Sequence, residues 1–85
     1  MKVRVMYFAG LREQVGTSCE DVELPAGVST LAGLRSHLIA RGGPWQSAFA
    51  EARLVRMAVN QTMAPAAASI RSGDEVAFFP PVTGG

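Results

Sequence analysis

The stretch Lys2–Phe8, KVRVMYF, alternates along the chain between two sets of side chains. A period of two with β-branched and aromatic residues is typical of a strand that buries one face. It predicts that Val3, Val5 and Tyr7 lie inside and that Phe8 lies outside. This strand is the reference from which the rest of the fold is predicted.

The remaining segments predict a sheet and one main helix. A short helical turn precedes a second strand at Cys19–Leu24, and the two strands are expected to form a hairpin. Ser29 or Thr30 then caps a helix with Leu31, Leu34 and Leu38 at helical spacing, which ends at the GGP of residues 42–44. Residues 45–51 form a short helical or irregular connector. Strands follow at Leu54–Asn60 and Glu75–Phe79, with a loop or weak edge strand at Met63–Ile70 between them.

This order of elements predicts an α+β fold. We expect a ubiquitin-like β-grasp roll, in which a mixed sheet carries one main helix packed on one face. The β-grasp domain spans residues 1–79, because Pro80 cannot continue a hydrogen-bonded ladder. Residues 80–85 form an extended carboxyl-terminal tail that ends in Gly-Gly.

Composition excludes several classes of function. The 85 residues carry a net charge of +1, which argues against a nucleic-acid-binding surface, and no apolar run is long enough to span a bilayer. Cys19 and His37 are the only residues of their kinds, which excludes a disulfide framework and a metal site of Cys and His ligands. No nucleophile–base arrangement or phosphate-binding loop is evident. We therefore expect a cytoplasmic protein without catalytic side chains of its own.

The unusual feature is the carboxyl terminus, FPPVTGG, at residues 79–85. Two prolines stiffen the exit from the sheet, and six extended residues reach about 20 Å at roughly 3.3–3.6 Å each. Glycines without a Cβ let a narrow channel close around the chain. A carboxylate reacts only after activation, most simply as an acyl-adenylate from which sulfide displaces AMP. The predicted tail residues are Pro80, Pro81, Val82, Thr83, Gly84 and the reactive Gly85.

The strand alternation also predicts an apolar surface beside the tail. If Val76 and Phe78 face the helix, Phe79 faces away from it, and Phe8 does so as well. The first and last strands are neighbours in a β-grasp sheet, so we predict that Phe8 and Phe79, joined by Met6 and Met63, form an exposed partner surface. A shift of one residue in register would instead bury these rings.

Three segments carry a resemblance to a known family: YFA at 7–9 with LRE at 11–13, AVNQT at 58–62, and GDEVAFFPPVTGG at 73–85. With these segments in this order over essentially the whole chain, the sequence resembles the small subunits of molybdopterin synthase, which are ubiquitin-like sulfur carriers. The last of the three segments is the most specific. Residues 42–53 and 65–69 show no distinctive family pattern.

The resemblance implies that an ATP-dependent adenylyltransferase, similar to ubiquitin-activating enzymes, adenylates Gly85. A sulfur donor protein then supplies the sulfur of a thiocarboxylate. The tail enters a large catalytic subunit, which builds the dithiolene of molybdopterin from cyclic pyranopterin monophosphate, and two small and two large subunits form a heterotetramer. Gly84 and Gly85 match the family's reactive end, and Phe8, Met63 and Phe79 match its apolar partner contacts. No permanently bound cofactor is expected, because ATP is used only by the activating enzyme.

Other functions remain open from the residues alone. A sulfur carrier for thiamine, cysteine or tRNA thiolation also ends in Gly-Gly, as does a ubiquitin-like modifier that is joined to lysine side chains. An interaction module with an inert tail is a further class. The FFPPVT run at 78–83 favours the molybdopterin pathway.

Overall fold

A computed structural model describes residues 1–81 of the chain. The predicted tail at 80–85 is therefore described only at Pro80 and Pro81, and Val82, Thr83, Gly84 and Gly85 lie outside the described residues. The elements in chain order are β1 Lys2–Tyr7, α1 Ala9–Val15, β2 Cys19–Glu23, α2 Leu31–Ile39, α3 Gly43–Phe49, β3 Arg56–Val59, β4 Thr62–Met63 and β5 Glu75–Phe79.

The strands form one mixed sheet in the order β2-β1-β5-β3-β4. The first and last strands, β1 and β5, are parallel neighbours, whereas the other pairs are antiparallel. The last strand therefore lies at the centre of the sheet, between β1 and β3. With α2 packed on one face, this is the β-grasp arrangement that the sequence predicts, and the predicted fold class is confirmed.

The core lies between the sheet and α2. Val3, Val5 and Tyr7 of β1 are buried, as are Val76 and Phe78 of β5. Leucines 31, 34 and 38 of α2 are fully buried against them, as their spacing predicts. The Thr30 side chain accepts a hydrogen bond from the Gly33 amide at 3.1 Å, so the predicted N-cap is Thr30.

The segment after α2 is more helical than the sequence predicts. The helix α2 ends at Ile39, and α3 begins at Gly43, so the GGP segment starts a second helix as well as following the first. Pro44 lies in the first turn of α3, where its missing amide hydrogen costs nothing. Phe49 of α3 is fully buried, and its ring centroid lies 5.0 Å from that of Phe78. The connector thus supplies a core aromatic residue.

The turn between β3 and β4 explains one of the resemblance segments. Asn60 and Gln61 both have positive φ values, of 50° and 71°, which Asn tolerates better than most residues. The Asn60 side chain accepts a hydrogen bond from the Glu75 amide at 3.0 Å and donates one to Asp74 at 3.1 Å. This network ties the turn to the start of β5. The edge strand β4 spans only Thr62–Met63, so the predicted loop or weak edge strand at Met63–Ile70 is a strand at its first residue alone. Within the rest of that segment, Ser69 forms an isolated bridge with Thr30.

Candidate functional site

The face of the sheet that points away from α2, here called the outer face, carries a row of small and flexible apolar residues. Strand pairing places Met6 opposite Ala77, Ala77 opposite Ala58, and Ala58 opposite Met63. Met63 is 53% exposed, whereas Met6 is half-buried. Ala58 in the middle of the row is only 7% exposed and Ala77 is half-buried, so the exposed apolar surface of this row is concentrated at Met63.

Phe8 and Phe79 lie together beside this row. Their ring centroids are 6.5 Å apart with the planes at 82°, an edge-to-face pair. Phe8 remains 40% exposed and Phe79 is half-buried. The structure therefore brings Phe8, Met63 and Phe79 to the same face, as the strand alternation predicts. Their role as partner contacts stays a prediction.

The tail leaves the sheet next to these two rings. Phe79 is the last residue of β5, and Pro80 and Pro81, which are half-buried, follow it directly. Neither proline has an amide hydrogen, so neither can donate to the neighbouring strands β1 and β3. Because β5 lies between β1 and β3, the chain departs from the centre of the sheet rather than from an edge. The reactive end predicted at Gly84 and Gly85 lies beyond the described residues.

The other end of the outer face is polar. Arg4 of β1 lies opposite both Asp21 of β2 and Glu75 of β5. The Arg4 guanidinium is 3.3 Å from the Asp21 carboxylate, and both side chains are more than half exposed. The outer face thus has an apolar end, where the tail begins, and a charged end that water solvates.

A polar cluster joins β1, β2 and the end of α2 at the side of the core. Glu20 accepts hydrogen bonds from Arg41 at 2.8 and 3.0 Å and from the Tyr7 hydroxyl at 2.9 Å. The hydrogen bonds from Arg41 lower the pKa of Glu20. Burial, together with donation to Glu20, raises the pKa of Tyr7 far above its ordinary value. Since the three groups satisfy one another, the cluster is structural.

The two residues most often used as catalysts lie on opposite sides of the sheet. Cys19 is an exposed residue of the edge strand β2, and its pairing with Met6 places it on the outer face. His37 lies on α2, which covers the inner face. The fold thus separates the only cysteine from the only histidine.

Sequence reasoning missed one exposed residue just before β3. Leu54 is 79% exposed, more than any other large hydrophobic residue that the structure describes. The sequence predicts a strand from Leu54, but β3 begins at Arg56. The signal was present in the alternation, because Leu54 has the same parity as Arg56 and Ala58, which face outward.

Of the helices described, none has the length or apolar character that a bilayer crossing requires.

Comparison with known proteins finds solved structures with this fold and a family whose model matches the chain. Residues 5–85 match the model of the ThiS family. The chain is 43% identical over 83 residues to the molybdopterin synthase sulfur carrier subunit of Escherichia coli, covering 98% of this chain and 99% of that protein. A putative molybdopterin converting factor, subunit 1, from Pyrococcus furiosus has a similar structure, with a TM-score of 0.78 and 31% identity over 96% of this chain and 99% of that one.

A solved complex shares the fold. The protein-protein complex of subunits 1 and 2 of molybdopterin-converting factor from Helicobacter pylori contains a chain that matches with a TM-score of 0.67 and 20% identity, covering 100% of both chains. The family model matches residues 5–85, nearly the whole chain, and the chain therefore belongs to the ThiS family, together with the molybdopterin synthase sulfur carrier subunits that it resembles.

Proposed function

We propose that this chain is the sulfur carrier subunit of a molybdopterin synthase and that Gly85 carries the sulfur. The observation that carries the proposal is the family match, which runs to Gly85 and therefore includes the terminal Gly-Gly. Curated relatives in three bacteria are molybdopterin synthase sulfur carrier subunits at 37–43% identity. The resemblance of residues 73–85 points to the same function.

The chemistry takes place at the terminal carboxylate. One carboxylate oxygen of Gly85 attacks the α-phosphate of ATP on an adenylyltransferase, which releases pyrophosphate and leaves an acyl-adenylate. Hydrosulfide, supplied by the sulfur donor at the oxidation level of sulfide, then attacks the carbonyl carbon; AMP leaves, the S–H proton is lost to solvent, and a thiocarboxylate remains. This chain supplies the acyl group and no catalytic side chain, and ATP is a substrate of the activating enzyme.

The geometry at the start of the tail supports this role. A carrier has to present its end to more than one enzyme, so the tail should leave the domain beside a surface that a partner can cover. The prolines at 80 and 81 follow the central strand directly, and the exposed ring of Phe8 lies next to that of Phe79. We propose that the large catalytic subunit covers this apolar end, as a partner of the kind found in the Helicobacter pylori complex.

Intact mass spectrometry tests the proposal. The protein is incubated with ATP, its adenylyltransferase and a sulfur source, and is then weighed intact. Exchange of one oxygen for sulfur adds about 16 Da, and fragmentation should locate the change at Gly85. An unchanged mass, under conditions that charge an established carrier, contradicts sulfur carriage, and isopeptide-linked conjugates would identify a protein modifier instead.

A matched pair of variants separates the tail from the fold. Deletion of Gly85 removes the reactive acyl group and should abolish the mass change, whereas Ser72→Ala, in the exposed turn before β5, should leave it intact. Both variants should unfold at the same denaturant concentration as the wild type, because Ser72 is exposed and deletion of the last residue removes none of the buried residues found within 1–81. Charging of the deletion variant at the wild-type rate would show that Gly85 is not the acceptor.

A further inference from the structure

Leu54 and Arg56 continue the apolar end of the outer face. Arg56 lies opposite Phe79 in the pairing of β3 with β5. The strand β3 begins at Arg56, so Leu54 precedes the paired residues, and Val55 between them packs against the core. Leu54 and Arg56 have the parity of the outward-facing Ala58, and the side chain of Leu54 is 79% exposed. A large apolar side chain is thus exposed two residues before Arg56, the residue that pairs with Phe79 at the end of β5.

The backbone that presents Leu54 is anchored. Arg35 of α2 donates hydrogen bonds to the carbonyl oxygens of Phe49, Ala50 and Arg53, at 2.9, 2.8 and 2.8 Å. The Arg53 amide donates to the Ala50 carbonyl at 2.8 Å. One guanidinium therefore fixes the end of α3 and the residue immediately before Leu54. A fixed apolar side chain loses less conformational entropy on binding than one on a loose loop, which favours a role as a contact.

Arg56 has no carboxylate partner within residues 1–81. The ion pairs found there belong to the amino terminus with Glu23, Arg4 with Asp21, and Arg41 with Glu20. All three lie at β2, the strand at the opposite edge of the sheet from β3 and β4. A guanidinium covered by a partner without a hydrogen-bond acceptor pays a large desolvation cost. A partner that covers the guanidinium of Arg56 together with Phe79 therefore has to supply an acceptor to it.

We propose that the contact surface for the large catalytic subunit extends from Phe8 and Phe79 onto Leu54 and Arg56. The partner offers an apolar depression to Leu54 and a carboxylate side chain to Arg56. This inference rests on the proposed function, since it assigns additional residues to the same docking surface. Arg56 sets the orientation of the complex through a charged pair, and Leu54 adds apolar area to the same contact.

The test measures binding of the full-length chain to the recombinant large subunit of the same organism by titration calorimetry. Arg56→Glu should weaken binding roughly tenfold or more, because it places a carboxylate against a carboxylate. Leu54→Ser should weaken it about fivefold through lost apolar area. The matched control is Arg71→Glu, which makes the same charge change in the exposed turn before β5, at the other end of that strand, and should bind within about twofold of the wild type.

Salt dependence gives a second measurement. Raising the salt concentration should weaken binding of the large subunit more for the wild type than for Arg56→Gln, because only the wild type has an ion pair that salt can screen. All variants should show the circular dichroism spectrum of the wild type, since Leu54 and Arg56 are exposed. The inference is overturned if Arg56→Glu and Leu54→Ser bind like Arg71→Glu while the wild type binds and acquires sulfur. If the wild type neither binds nor acquires sulfur, the proposed function itself fails.

Discussion

Tyr7 and Phe8 are adjacent aromatic residues with opposite surroundings. Tyr7 is 1% exposed, packs against Phe49 and Phe78 on the inner face, and donates its hydroxyl to Glu20. Phe8 is 40% exposed on the other side and contacts Phe79. The comparison extends to Phe78 and Phe79, so two neighbouring central strands each pair a core ring with a surface ring.

The difference shows that one set of strands serves two purposes. Inner-face residues hold the domain together through apolar burial, which is the main favourable contribution to folding. Outer-face residues at the apolar end add little to folding, because water or the opposite ring is their main neighbour. Stability and recognition should therefore respond to different substitutions, even at positions one residue apart.

The largest expected effect is on the inner face. Phe78→Ala removes a fully buried ring from the centre of the core, and the cavity should lower the free energy of unfolding by about 3–5 kcal/mol. Urea denaturation followed by circular dichroism measures this loss.

Phe78→Leu keeps the variant measurable if the alanine substitution unfolds so small a domain. It should lose less stability than the alanine variant, because it leaves a smaller cavity. A loss below about 1 kcal/mol for Phe78→Ala would contradict the division between the two faces.

The matched change on the outer face should act on binding. Phe79→Ala removes a half-buried ring that contacts Phe8, and it should weaken binding of the large subunit by about 1–3 kcal/mol, as an interface anchor does. The free energy of unfolding should fall by less than about 1 kcal/mol. Calorimetric titration and urea denaturation of the same preparation give both numbers, and an unfolded Phe79→Ala monomer would show that this ring belongs to the core.

A smaller effect is expected at the polar cluster at the side of the core. Glu20→Gln removes the negative charge to which Arg41 and Tyr7 donate hydrogen bonds. It should lower the free energy of unfolding by about 1 kcal/mol at pH 7, since water still reaches both partners of the ion pair. Binding of the large subunit should not change, because this cluster lies away from the apolar end of the outer face.

The same variant has a predictable pH dependence. The pKa of Glu20 is lowered in the folded chain by its hydrogen bonds from Arg41, relative to its ordinary value of 4.5. The stability that this carboxylate contributes is therefore fully present above that value and is lost as the pH falls through the lowered one. The difference in the free energy of unfolding between the wild type and Glu20→Gln should stay constant from pH 7 to about 5.5 and narrow below about 4.5. If the difference in the free energy of unfolding is undiminished at pH 3, the ionised Glu20 carboxylate is not its source.

Most of the fold could be predicted because the strands alternate clearly and α2 has leucines at helical spacing. The helix α3 was harder, because its sequence GPWQSAF begins with two residues that usually end a helix. Its position depends on tertiary packing of Phe49 against Phe78, which is a long-range contact that local patterns do not encode.

The residues of the candidate site also divide into those that local sequence patterns predict and those that depend on long-range contacts. Phe8, Met63 and Phe79 could be placed on one face from parity alone, because each lies in or beside an alternating strand. The alternation also gives Leu54 the outward parity, but it does not predict that strand pairing stops at Arg56, because the segment before Arg56 is held by hydrogen bonds from Arg35, eighteen residues before Arg53 in the chain. Side-chain-to-backbone bonds across such a separation leave no periodic signal in the sequence.

The smallest effect is expected at Cys19. This residue is exposed on the edge strand β2, next to Met6 and in the strand that forms the Arg4–Asp21 ion pair. Cys19→Ser should change the free energy of unfolding by less than about 0.5 kcal/mol, because the thiol buries little surface. Binding should also be unchanged, since Phe79, Arg56 and Met63 lie on β5, β3 and β4, at least two strand spacings of about 4.8 Å from β2. On β1, Cys19 pairs with Met6 and not with Phe8. Alkylation of the Cys19 thiol should then proceed at the same rate in the free chain and in the complex, and protection on binding would extend the docking surface across the whole outer face.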